Sequence, residues 1–211
     1  MFYVTVRAIL RMVLRVVFKT RVEGEDNVPS EGPVILVANH LSMLDPIVLG
    51  CAVRRPVRFM AKHELFSSRL FGWVLTMLGA FPVRRGQSDR EAFHTALGVL
   101  SKGQVLGMFP EGTRSLNGQL QAPYSGAAIL AEKTCAPIVP VGIVGTDRVI
   151  RKGGRLPRPG RITVRVGRPI YASDLSQGPA QEAGGAAAAD VKNIMMQHIA
   201  DLIASGAQAT R

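Results

Sequence analysis

The chain has 211 residues, 47% of them hydrophobic, enough to bury one substantial core and short for two domains. Its 26 Lys and Arg against 15 Asp and Glu give a formal charge of +11, which attracts anionic partners such as membrane headgroups, nucleic acid or phosphorylated small molecules. Aromatic residues make up only 6% of the chain and are not interleaved with the arginines, which argues against a stacking platform for single-stranded nucleic acid.

Residues 1–20, MFYVTVRAILRMVLRVVFKT, lack the charge-first, uninterrupted apolar run and small-residue cleavage site of a signal peptide. A spanning helix is opposed by arithmetic. Three central arginines cost about 2.5 to 3.5 kcal/mol each, and Leu, Ile, Val and Phe return only about 0.3 to 0.6 each. Arg7, Arg11, Arg15 and Lys19 recur every fourth residue and form one stripe on a helix. Apolar residues fill much of the rest, the pattern of a helix lying in a membrane interface with its basic face toward anionic headgroups. A core-packed terminal helix with a solvated basic face fits the same spacing.

After a turn-rich stretch, Val34 to Ala38 is a continuous apolar run that reads as a buried strand. A helix is expected from Asp45, with Asp45 as N-cap and Pro46 at the first helical position. Further expectations are a strand over Arg58–Ala61, a helix over Glu64–Leu78 and a strand over Ala80–Val83. Ser88 and Glu91 have capping-box spacing before a helix closed by Gly103. A strand follows over Val105–Phe109, a helix over Ala127–Lys133, strands over Ile138–Val144 and Ile162–Val166, a Gly/Ala-rich linker, and a terminal helix over Asp190–Ala204. The alternation of strand and helix predicts a single α/β layered domain with a mixed, mainly parallel sheet. Its segments are an amphipathic helix over 1–22, the αβ domain over 23–176, and the linker and final helix over 177–211. Cys51 and Cys135 lie at no metal-ligand spacing and read as small buried hydrophobes.

Chemistry concentrates where strands end. Asn39-His40-Leu41-Ser42-Met43-Leu44-Asp45 joins a buried strand to a helix, a usual place for active-site groups in α/β proteins; a loop histidine beside a helix-capping aspartate fits it equally. Phe109-Pro110-Glu111-Gly112-Thr113-Arg114-Ser115 follows another apolar strand, and Arg114 offers a planar fork of donors to a phosphate. Gly79-Ala80-Phe81-Pro82-Val83-Arg84-Arg85-Gly86 brings paired arginines out of a third strand. Ala136-Pro137-Ile138-Val139-Pro140-Val141 carries prolines on both sides, which by itself reads as an edge strand. Arg148, Arg151, Lys152, Arg155, Arg158 and Arg161 form a basic loop facing anionic lipid, a carrier's phosphates or solvent. His63, His94 and His198 are scattered, and no G-x-S-x-G nucleophile elbow occurs.

In order and spacing, NHLSMLD, GAFPVRRG, FPEGTRS and APIVPV resemble the four motifs of glycerolipid acyltransferases of the 1-acylglycerol-3-phosphate acyltransferase type, from about Pro33 to Val144. The resemblance implies an αβ acyltransferase domain preceded by a membrane-binding helix. It implies His40 as general base and Asp45 as its orienting carboxylate, and assigns Arg85, Glu111, Gly112, Thr113 and Arg114 to the phosphorylated acceptor. It further implies transfer of an acyl group from acyl-CoA or acyl-carrier protein to lysophosphatidic acid, giving phosphatidic acid. The expected setting is the cytoplasmic face of a membrane, peripheral or monotopic, with an anionic lipid surface as partner, no cofactor, no metal and no nucleic acid. Two positions depart from the family pattern: Arg84 stands where many members have Asp, and Ser125 where many have Lys. These keep open a different lysolipid acceptor, such as a lyso-ornithine lipid. A non-catalytic basic protein binding membranes or nucleic acid is the reading from a different class; it would explain the charge but not His40, Asp45 and Glu111 at strand ends.

A glycerol hydroxyl is a poor nucleophile at neutral pH, so the imidazole has to take its proton as it attacks the thioester. This is triad logic with the substrate supplying the hydroxyl, and it needs no acyl-enzyme.

Overall fold

The structure is a computed structural model describing residues 2–84, 89–115, 117–150, 157–171 and 184–208. In chain order the elements are α1 (Phe2–Val17), β1 (Arg21–Glu23), β2 (Val34–Ala38), α2 (Asp45–Ala52), β3 (Val57–Lys62), α3 (Arg69–Met77), β4 (Ala80–Val83), α4 (Arg90–Ser101) and β5 (Val105–Met108). Then come α5 (Gly126–Thr134), β6 (Ile138–Val144), α6 (Thr146–Val149), β7 (Thr163–Val166) and α7 (Gly184–Gln208).

Every residue of β2 is buried, which fixes that strand at the middle of a covered sheet. The described residues form one seven-stranded sheet in the order β1-β7-β6-β2-β5-β3-β4. The pairings are parallel except that of β6 with β7. The pleat of β2 divides its residues between two cores. Val34, Leu36 and Ala38 face the layer of α1 and α2 with Leu14, Val48 and Leu49. Ile35 and Val37 face α4, α5 and α7 with Leu100, Leu130, Met195 and Ile199. The expected mixed, mainly parallel α/β sheet is therefore what forms.

Several expectations need correction. The proline-flanked strand β6 is interior, between β2 and β7, with Pro140 opposite Val37; Pro140 gives up a donor, but its carbonyl still accepts from Gly167 at 2.8 Å. The segment expected as one helix over Glu64–Leu78 is a 3-10 turn over His63–Phe66 followed by α3. The N-cap of α4 is Asp89, whose side chain accepts from Ala92 N; Ser88 lies outside the described residues. The terminal helix starts at Gly184, and Val191, Met195 and Ile199 are part of the core. Strand β1 and helix α6 were too short for a periodicity signal. Cys51 is buried as expected, but Cys135 is exposed at a left-handed residue ending α5. The rest of the expected linker, and Arg151, Lys152 and Arg155, lie outside the described residues.

Helix α1 packs on α2, with Leu10 and Leu14 in the shared core, and its last turn is tied off by the N–H and hydroxyl of Thr20, both donated to Leu14 O. Its basic stripe is split. Arg7 donates to Arg54 O at 2.7 Å, and Arg11 donates to both carboxylate oxygens of Glu25, so half of the stripe faces the protein. What points outward is largely apolar, with Val4, Met12 and Val16 exposed to 64%, 62% and 71%.

Candidate active site

The turn between β2 and α2 is shaped by one carboxylate. Asp45 is the first residue of α2, and Leu44 occupies the cap position. The Asp45 side chain thus does not cap the helix, as the sequence suggested; it turns back onto the preceding loop. Its Oδ2 accepts the N–H groups of Leu41 and Ser42, both at 2.6 Å, and lies 2.9 Å from His40 Nδ1. The carboxylate is fully buried and the imidazole nearly so. In the tautomer that donates Nδ1–H to Asp45, Nε2 is the ring nitrogen left to accept a hydrogen bond. The preceding residue is fixed as firmly: the Asn39 amide accepts from Ile143 N at 2.8 Å and donates to Ile143 O at 2.9 Å, extending the ladder between β2 and β6 by one side chain.

The adjacent strand β5 runs into the FPEGTRS motif. Phe109 stacks on the His40 ring at a centroid distance of 4.2 Å, and Phe59 lies behind Phe109 at 6.5 Å. Gly107 is required for this stack, because a Cβ there would stand 2.4 Å from the Phe59 ring. The chain then turns at Gly112, whose φ of +69° and proximity to the Tyr124 ring exclude a side chain. Ser115 N donates to His40 O at 2.8 Å. Thr113 and Arg114 are exposed beyond the turn. Glu111, unlike Thr113 and Arg114, lies inside the turn. It is 3% exposed, and its two carboxylate oxygens accept from His40 N at 2.9 Å and Gln121 N at 3.0 Å.

His40 and Arg114 line one cavity of about 490 Å³. Its walls are mostly apolar, including Leu10, Met43, Ile47, Met60, Leu75 and Phe109, with Arg7 and Lys62 also reaching it. Cys51 lines it too, but burial outweighs the nearby Arg7 and Arg11 and pushes its thiol up, which makes it a poor nucleophile at neutral pH. The structure therefore brings together His40, Asp45, Glu111, Gly112 and Arg114. Arg85 lies outside the described residues. Its neighbour Arg84 is at the end of β4, three interstrand steps from β2, or about 14 Å at the usual strand spacing. The sequence had given no separate role to Asn39 or Phe109, although both lie in the motifs; only the strand order reveals that Phe109 meets the imidazole.

The chain is 32% identical over 160 residues to a chloroplastic 1-acyl-sn-glycerol-3-phosphate acyltransferase of Brassica napus, covering 74% of this chain and 46% of that protein. It is 28% identical to the 1-acyl-sn-glycerol-3-phosphate acyltransferase of Bacillus subtilis, over 82% and 84% of the two chains. The chain spans about half the length of its plant relatives. The crystal structure of the 1-acyl-sn-glycerophosphate (LPA) acyltransferase PlsC from Thermotoga maritima superposes with a TM-score of 0.75 at 25% identity, covering 95% of this chain and 79% of that one. The Acyltransferase family model matches residues 19–144, which span β1 to β6 and hold both halves of the site. The chain belongs to the Acyltransferase family.

Proposed function

We propose that the protein transfers a fatty acyl group from a thioester, acyl-CoA or acyl-carrier protein, to the free hydroxyl of lysophosphatidic acid, forming phosphatidic acid. The observation that carries this reading is the pair of His40 and Asp45, 2.9 Å apart, opening onto an apolar cavity that Arg114 also lines. His40 Nε2 removes the acceptor hydroxyl proton as the oxygen attacks the thioester carbonyl carbon. The new C–O bond forms and the tetrahedral intermediate collapses with cleavage of C–S. The departing sulfur then takes the proton back from the imidazolium, so His40 ends as it began. Asp45 holds the ring tautomer and stabilises the imidazolium. Arg114, together with Arg85, binds the acceptor phosphate, with Gly112 and Thr113 shaping its seat, and the apolar walls take acyl chain. The chemistry draws on no cofactor, because the donor supplies the activated group.

Names of relatives support the acceptor assignment, as do two arginines suited to a phosphomonoester. A different lysolipid is the second reading, favoured by Ser125 and Arg84 at positions where many family members carry Lys and Asp. We place the protein peripherally on the cytoplasmic face of a membrane, held by the outward apolar face of α1 and by anionic lipid. No helix among the described residues is long and apolar enough to cross a membrane. The test is to give purified protein a panel of lysolipids with labelled acyl-CoA and, separately, labelled acyl-carrier protein. Phosphatidic acid should be the main product, and it should vanish in His40→Ala. A folded protein that acylates none of the panel would overturn the reading.

A further inference from the structure

We propose that Glu111 is a positioning residue that locks the general base to the acceptor loop, and not a ligand of the acceptor. The inference rests on the acyl-transfer reading of His40. Glu111 is buried, and each carboxylate oxygen is occupied by a main-chain donor, His40 N at 2.9 Å and Gln121 N at 3.0 Å. A carboxylate so placed has no free edge to offer a substrate, and its charge would repel a phosphate.

Its bonds instead define a unit. Four residues after Glu111, Ser115 N donates to His40 O at 2.8 Å. Both main-chain polar groups of His40 are thus held by one five-residue segment. Between its two anchors lie Gly112, Thr113 and Arg114, so the base and the cation facing the cavity cannot shift independently. The second oxygen of Glu111 draws in Gln121. Tyr124 N donates to Pro110 O at 2.8 Å, and the Tyr124 ring covers Gly112, which folds the following loop over the same turn. Replacing the carboxylate by an apolar group would leave buried donors unpaired and uncouple His40 from Arg114.

The experiment compares the unaltered protein with Glu111→Gln and Glu111→Asp. Gln keeps the shape but presents an amide NH2 to one of the two donors; Asp keeps the charge but is one methylene too short to reach both. Both variants should lower kcat by up to about a hundredfold, with the KM for lysophosphatidic acid changed by less than about threefold. Amide exchange, followed residue by residue, supplies a readout independent of activity. In the unaltered protein without acceptor, the His40 and Gln121 amides should exchange slowly; in the variants they should exchange faster while those of Ile35 and Val37 stay protected. A tenfold rise in acceptor KM with kcat retained, or unchanged kinetics, would overturn the proposal. So would fast exchange at His40 and Gln121 in the unaltered protein, a result that stands even if a variant does not fold. If the unaltered protein transfers no acyl group, the functional reading fails, while exchange still reports whether Glu111 holds His40.

Discussion

His40 Nδ1 lies 2.9 Å from Asp45 Oδ2, and the oxygen that receives the imidazole also receives the N–H groups of Leu41 and Ser42 at 2.6 Å. One carboxylate therefore sets the loop and the ring together. If Asp45 works only through the imidazole, its loss costs little once the imidazole is gone. His40→Ala is expected to lower kcat by about 10² to 10⁴, the range for a general base. Asp45→Asn should do much of the same damage, and the double variant should be barely worse than His40→Ala. Additive losses would mean that Asp45 acts separately, through the loop alone. Pre-steady-state thiol release provides a second check: a stoichiometric burst from donor without acceptor would indicate an acyl-enzyme.

Arg114 reaches the His40 cavity, is exposed, and has no carboxylate partner among the described residues. A charge-assisted contact to phosphate is worth about 1.5 to 3 kcal/mol. Arg114→Ala should therefore raise the acceptor KM roughly ten- to a hundredfold, and the donor KM by much less. Arg85→Ala should behave in the same way. If only the donor constant moves in steady-state kinetics, the cations serve the donor's phosphates.

The two cysteines give a test of the cavity. Burial pushes the Cys51 thiol up, whereas Cys135 is exposed. A small maleimide should label Cys135 first at neutral pH, and labelling of Cys51 should accelerate as pH is raised, because only the thiolate reacts. Long-chain acyl-CoA should slow Cys51 labelling if acyl chain fills the cavity it lines. Labelling of Cys51 as fast as Cys135, read by peptide mass mapping, would mean that the Cys51 thiol is not buried as described.

How much of this could be read from residues alone depended on the range of the interactions. Val34 to Ala38 announced a buried strand because β2 is covered on both faces, and the motif residues stood at strand ends because parallel strands open their sites there. The partner of Asp45 was also legible, since a five-residue turn is local. The partners of Glu111 were not, because they are main-chain N–H groups 71 and 10 residues away, which carry no side-chain signature. The Asn39 clamp onto Ile143 was hidden for the same reason, at a separation of 104 residues. In α1 the every-fourth spacing of cations was visible, but which of them would face Glu25 or a carbonyl depended on how the helix docks.

That docking changes what membrane attachment should depend on. With Arg7 and Arg11 engaged by Arg54 O and Glu25, the groups left to meet a bilayer are the outward apolar side chains and the exposed Arg15 and Lys19. Met12→Glu together with Val16→Glu should weaken vesicle binding at least about tenfold, since each removes a side chain whose burial is worth about 1.5 to 3 kcal/mol. Transfer to a detergent-dispersed acceptor should be spared. Arg15→Gln with Lys19→Gln should remove mainly the salt-sensitive part of binding to anionic vesicles, at about 1 kcal/mol per charge. Arg7→Gln and Arg11→Gln should instead lower the melting temperature and leave the salt dependence of binding nearly intact. Vesicle flotation and thermal unfolding measured on the same three pairs distinguish the cases: if Arg7 and Arg11 govern flotation while Met12 and Val16 do not, α1 meets the membrane through its basic stripe, in the orientation opposite to the one its packing on α2 supports.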